Sequence, residues 1–263
     1  NFDFKPKKAF LLYEFLGTAL LAFTLNLSAE AFPWVLLFVS LWAWQLSAAH
    51  FNPAITLATL LQNPGEIAGN VRSFVFLIVT QLVGALFGTM FTFFGSIIDW
   101  YGNQEKQKKI TPTPPTLCPS FTTRLDGGNN DCQSKTEMNV LIGETIISFV
   151  FIFSWMIIRK FEFKGELKQV ENFVKPIFVM LIYIGVTSMT SFTGGFQNPT
   201  LALQMAIWNK GVYDQDAIDK DGNTDTYYNV NHLGRFIWVY TTAPFLGAVL
   251  AAIAHRMHEK SLQ

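Results

Sequence analysis

The chain has 263 residues, 50% of them hydrophobic and 14% charged, and its 19 basic and 19 acidic side chains cancel to a formal net charge of +0. That balance is rare in a water-soluble domain of this length, and a mean hydropathy of +0.28 points to an integral membrane protein. The absence of a basic excess removes the basis for nucleic-acid binding. The 2 cysteines are too few for a disulfide scaffold, and His50, His232, His255 and His258 lack the HxxxH or HxH spacing of a metal site.

A helix crossing a hydrocarbon core of roughly 30 Å needs about 20 apolar residues. Lys5, Lys7 and Lys8 lead directly into the first such stretch, 9–29, with no small-residue cleavage site behind it, so it reads as a retained span. It contains Glu14, and an intramembrane carboxylate is either a structural clamp or part of a proton relay. No Lys, Arg or His stands beside Glu14 within its helix, which favours the clamp. The sequon Asn26-Leu-Ser28 lies too near the membrane to accept a glycan comfortably. The second span is 32–49. The short apolar stretch 53–61 opens on Asn52-Pro53-Ala54, with His50 two residues before Asn52. At about 1.5 Å per residue it reaches only part of the way across, and exposed coil at that depth is costly, so it reads as a re-entrant half-helix. The third span is 73–98.

Residues 99–137 exceed an ordinary connection and contain Thr-Pro-Thr-Pro-Pro at 111–115 and Gly-Gly-Asn-Asn at 127–130. They fall on the non-cytoplasmic side, where Cys118 and Cys132 are either bonded or two free thiols; a disulfide closing about 15 residues would contribute roughly 3 kcal/mol in the chain-entropy picture. The fourth span, 139–158, contains Glu144. The mixed charges of 159–175 read as a solvated cytoplasmic linker, with a lipid-headgroup or partner site as the alternative. The fifth span is 174–192, followed by a second short stretch, 199–208, opening on Asn198-Pro199-Thr200. Asp219-Lys-Asp221-Gly-Asn223-Thr-Asp225 begins like a calcium loop, but Thr224 and Val230 stand where glycine and a bidentate glutamate are needed, so it reads as a solvated acidic loop. The sixth span is 236–254.

The halves share landmarks in the same order. Glu14-Phe-Leu-Gly17-Thr18 matches Glu144-Thr-Ile-Ile-Ser148; Asn52-Pro53-Ala54 matches Asn198-Pro199-Thr200; Gln81-Leu-Val-Gly84-Ala85 matches Pro244-Phe-Leu-Gly247-Ala248. Three crossings per half invert the second repeat (about 138–256) relative to the first (about 9–98), the arrangement of transport proteins, whose sites lie between the halves. Asn is a good N-cap and Pro suits the first helical position. Two half-helices therefore start at Asn52 and Asn198, near mid-membrane, and bring two partial positive charges and two carboxamides to one constriction. Lysine and arginine gather on the side of both termini, so the positive-inside rule makes the termini cytoplasmic.

The motifs Ser47-Ala-Ala-His50-Phe-Asn52-Pro53-Ala54-Ile-Thr56-Leu-Ala58, Glu14-Phe-Leu-Gly17-Thr18 and Trp238-Val-Tyr-Thr-Thr-Ala-Pro244-Phe-Leu-Gly247 resemble the aquaporin, or major intrinsic protein, family over nearly the whole chain. The resemblance implies an all-α membrane fold of six spans and two half-helices, one domain over 1–263, forming homotetramers with one pore per subunit. It makes Asn52 and Asn198 the pore asparagines, and Glu14 and Glu144 acceptors for backbone N–H groups of the re-entrant loops. His50 would line the pore mouth or satisfy a loop carbonyl. The family's filter positions fall at Phe32, Val186, Gly195 and Leu201, all uncharged. Leu201 replaces the arginine that orthodox members place after the second motif, so an apolar filter is expected; Asn198-Pro-Thr-Leu-Ala202 is similar to the unorthodox, or superaquaporin, branch.

The expected activity is passive passage of water or small neutral solutes (glycerol, peroxide, a dissolved gas), with no cofactor. The alternative is a poorly conducting subunit of a membrane junction or larger assembly, motivated by Leu201 and the bulky residues. A catalytic set of Ser/His/Asp, a phosphate-cradling glycine loop or paired aqueous carboxylates is not found in the sequence, so an enzyme is not expected.

Overall fold

In the structure, a computed structural model, residues 8–102, 137–189, 193, 195–213 and 237–262 are described. They form eight α-helices: α1 Lys8–Leu27, α2 Phe32–Ser47, α3 Pro53–Gln62, α4 Ile67–Gly102, α5 Glu137–Lys160, α6 Glu171–Ser188, α7 Pro199–Tyr213 and α8 Ile237–Ser261. Six stretches are long and apolar enough to cross a bilayer. Cys118, Cys132 and the acidic run 219–225 lie outside the described residues.

Every expected element is present, with shifted ends. The third span begins at Ile67 instead of 73, because Asn70 and Arg72 continue the helix beyond its apolar part. The second half-helix runs on to Tyr213, 15 residues in all or about 22 Å, whereas α3 stays short at 10 residues.

The repeat is visible in the packing. Helix α1 lies chiefly along α4, and α5 along α8; α3 packs on α8, and α7 on both α4 and α8. The shared glycines mark where backbones approach. A Cβ on Gly84 would stand 2.6 Å from the Phe15 carbonyl oxygen, and one on Gly88 2.0 Å from that of Ala19. Across α5 and α8, a Cβ on Gly247 would stand 2.7 Å from the Phe149 nitrogen. Ala85 and Ala248 beside them are fully buried. Within a membrane, where apolar burial between helices gains little over lipid contact, such small-residue crossings supply close van der Waals packing.

Outward faces carry large exposed side chains, for example Phe76, Phe87 and Phe91 on α4, as a lipid-facing surface requires. The buried polar side chains lie inward. Asn26, with no exposed surface, donates from Nδ2 to Thr89 Oγ1 at 3.3 Å and to Gln204 Oε1 at 3.5 Å, joining α1, α4 and α7. The Thr89 hydroxyl also donates to Gln204. The sequon amide is thus enclosed between helices.

Candidate pore between two crossed loops

Each re-entrant loop is built the same way. Helix α2 is capped after Ser47 by Ala48, left-handed at φ 56°, whose N–H reaches Trp44 O at 3.0 Å, and the Ser47 hydroxyl takes the Ala49 N–H at 3.2 Å. The backbone then turns through Ala49 (φ 52°) and Phe51 (φ 46°) into Asn52. In the second loop Gly195 (φ 62°) and Gln197 (φ 50°) occupy the corresponding places before Asn198. Left-handed backbone is unfavourable for side-chain-bearing residues, and two carboxylates hold it in place. Glu14 accepts the His50 N–H on Oε1 at 2.9 Å and the Phe51 N–H on Oε2 at 2.7 Å. Glu144 accepts the Gly195 N–H at 2.9 Å and the Phe196 N–H at 3.1 Å. Both glutamates are fully buried.

The clamps differ in their third support. Gln81 Nε2 donates to Glu14 Oε2 at 2.8 Å and to Thr56 Oγ1 at 3.1 Å. Its counterpart in the repeat, Pro244, has no side-chain donor. The second loop is instead tied by the Tyr240 hydroxyl, which donates to the Thr193 carbonyl. Gly17, one turn beyond Glu14, leaves the space that the Phe51 ring fills: a Cβ there would lie 2.0 Å from the ring.

Both asparagines cap and cross. Asn52 Oδ1 accepts the Ala54 N–H at 2.8 Å, and Asn198 Oδ1 the Thr200 N–H at 3.1 Å, which fixes both side chains as N-caps with proline following. Their Nδ2 atoms reach across the repeat: Asn52 donates to the Gln197 carbonyl at 2.9 Å, and Asn198 to the Phe51 carbonyl at 2.8 Å. Each amide thus holds the strained residue before its opposite number, and the two helix N-termini are pinned together.

A cavity of about 30 Å³ lies at this crossing, room for about two water molecules. Asn52, Asn198, His50 and Gln197 are polar residues of its lining; Leu21, Leu36, Ile55 and Val179 are aliphatic ones, and Phe32, Phe51, Phe151, Trp155, Tyr183 and Phe196 aromatic ones. Of the expected filter positions, Phe32 lines this cavity, its ring 4.9 Å from that of Tyr183. Val186 and Leu201 are buried but stand outside the lining, and Gly195 is bound to the Glu144 clamp. Thr200 is buried, its hydroxyl without a hydrogen-bond partner. His50 is among the residues that line the cavity, and its Nδ1 lies 3.3 Å from the Thr56 hydroxyl.

Tyr183 and Gln197 were not picked out by sequence reasoning, which takes Trp155 for a lipid-facing or packing aromatic; all three are among the lining residues. Trp155 is 2% exposed, edge-on to His50 at 5.3 Å, and the Arg159 guanidinium lies 5.3 Å above its ring. Arg159 also donates to Thr59 Oγ1 at 3.4 Å. The same end of the molecule, where α1 begins and α8 ends, is tied by a Lys160–Glu259 ion pair and by Lys175, which donates to the Arg159 carbonyl at 3.1 Å. Among the described residues, three or more potential metal ligands do not gather at any point.

The family model described as Major intrinsic protein matches residues 10–255. Aquaporin-1 of Rhizophagus irregularis is 26% identical over 218 residues, covering 82% of this chain and 59% of that protein, so the chain spans less than two thirds of this relative's length. The solved aquaglyceroporin of Plasmodium falciparum shares the fold with a TM-score of 0.61 at 18% identity, over 96% of each chain. A match over nearly the full length, together with six membrane-crossing helices and paired Asn-Pro half-helices, makes this chain a multi-pass integral membrane protein of the major intrinsic protein, or aquaporin, family, a family of channels and not of enzymes.

Proposed function

We propose that the chain is a passive transmembrane channel for water and small uncharged solutes, such as glycerol, peroxide or a dissolved gas, which cross between the two re-entrant loops. The observation that carries this reading is the reciprocal pair of bonds from Asn52 to the Gln197 carbonyl and from Asn198 to the Phe51 carbonyl. They bring two helix N-termini together, each equivalent to about half a positive charge, a point that repels cations and admits neutral hydrogen-bonding molecules. The filter is apolar, formed around Phe32, Val186, Gly195 and Leu201, and Leu201 in the place of arginine aligns the second motif with the unorthodox branch. The names of the two relatives, an aquaporin and an aquaglyceroporin, support the same solute class. The channel works in a lipid bilayer as a homotetramer with both termini cytoplasmic, the side where Lys164, Lys168, Arg256 and Lys260 lie.

The small cavity and its aromatic wall favour one second reading, a poorly conducting subunit of a larger membrane assembly. Purified protein in liposomes separates the two. Stopped-flow light scattering records shrinkage under an impermeant osmolyte and re-swelling under glycerol, beside empty vesicles. Faster shrinkage than the empty control is the expected result; matching rates for folded, inserted protein in both phases reject the water and glycerol channel and favour the structural reading.

A further inference from the structure

Gln197 is placed where a polar side chain has no structural return. It is 1% exposed and lines the cavity at the loop crossing, yet neither Nε2 nor Oε1 has a hydrogen-bond partner. Burying a primary amide with both ends unpaired is costly. The local backbone does not ask for it: Phe51, the corresponding residue of the first loop, adopts nearly the same left-handed φ, 46° against 50°, with an apolar ring in place of an amide. The part of Gln197 that the fold uses is its carbonyl, which accepts the Asn52 amide at 2.9 Å. Each pore asparagine already spends its Oδ1 on a cap and one Nδ2 hydrogen on the opposite loop. Leu201 has no polar group to offer.

Resting on the channel reading above, we propose that Gln197 is a specificity-determining residue, whose amide offers a donor and an acceptor to the permeating molecule at the crossing and so favours solutes that carry hydroxyl or amide groups. Water in file keeps hydrogen bonds to the water before and behind it. A molecule of glycerol size fills the constriction and has only the wall to replace its lost hydration, so it depends more on Gln197 than water does.

Reconstituted wild type, Gln197→Met and Gln197→Asn test this, with water and glycerol permeabilities measured on the same vesicles. Methionine is unbranched and of similar length but has no amide, so the left-handed backbone meets no new penalty; asparagine restores an amide and tolerates that backbone. Gln197→Met is expected to raise the water-to-glycerol permeability ratio by at least about fivefold, the worth of one net hydrogen bond, and Gln197→Asn to bring it back toward wild type. A purely structural residue would change the amount of folded protein, read by size exclusion and thermal melting, without moving the ratio. A ratio within about twofold of wild type in monodisperse Gln197→Met overturns the proposal and leaves the channel reading intact, as does a wild type that passes water but not glycerol. A wild type that passes neither overturns both.

Discussion

At the scale of single residues, the two loops depend on groups that have few alternatives. Glu14 serves two backbone N–H groups and the Gln81 amide, and all of these donors belong to buried residues. Glu14→Ala should cost about 1–3 kcal/mol for each donor left unpaired, read as a lower melting temperature in detergent. Glu144→Ala should cost less, because Tyr240 still ties the second loop through the Thr193 carbonyl. Equal losses in the two variants would contradict the asymmetry drawn from Gln81 and Pro244. Trp155, pressed edge-on against His50 at 5.3 Å, is the bulkiest group of the cavity wall. Trp155→Ala should raise glycerol permeability while lowering stability by about 3–5 kcal/mol, the usual cost of removing a buried indole; an unchanged permeability would place Trp155 outside the path.

At the scale of elements, the helix crossings set tight limits on side-chain size. Gly84→Val drives a side chain into the Phe15 carbonyl, which its Cβ alone would approach to 2.6 Å. Overpacking of this kind costs about 1–3 kcal/mol, so the variant should melt earlier than Gly69→Val, where a Cβ meets nothing within 4 Å. The Asn26, Thr89 and Gln204 contacts between α1, α4 and α7 call for a double-mutant cycle. Asn26→Leu and Gln204→Leu should each destabilise, and the double variant by less than the sum, since neither amide is then left facing a lost one and the Thr89 hydroxyl keeps the Ala85 carbonyl, 2.9 Å away, as an acceptor.

Element identity was legible in the sequence because it depends on run length and on Asn-Pro punctuation: six apolar runs, and two prolines each following a capping asparagine. The wall of the cavity was far less so. In a soluble protein one face of a helix is polar and reveals which way it turns, but a helix apolar all round gives no such mark. Trp155 on α5 and Tyr183 on α6 are written in the same vocabulary as the lipid-facing Phe76 and Phe91, and only packing tells them apart. Phe32 and His50, both among the lining residues, were singled out in the sequence because the motifs fix their distance from a loop. Gln197 gave a usable signal that sequence reasoning passed over, a polar residue beside Asn198 where the first motif has Phe51.

At the scale of the whole molecule, the inverted repeat explains why one constriction exists at all. Two half-helices entering from opposite sides meet only if their loops bend back equally, and the matched left-handed residues Phe51 and Gln197, each held by the opposite asparagine, provide that equality. The rest of the structure serves this meeting point: close glycine crossings draw α1 to α4 and α5 to α8, and the inward faces of these helices bear the clamping glutamates. A plug placed in the proposed path between the crossed loops is the most direct test. Leu36 and Leu46 share α2, but Leu36 lines the cavity and is 8% exposed, whereas Leu46 is 46% exposed. In reconstituted liposomes, Leu36→Trp should reduce stopped-flow water permeability to the level of empty vesicles while Leu46→Trp matches wild type. Wild-type permeability in folded Leu36→Trp, or equal loss in both variants, would contradict a path between the crossed loops.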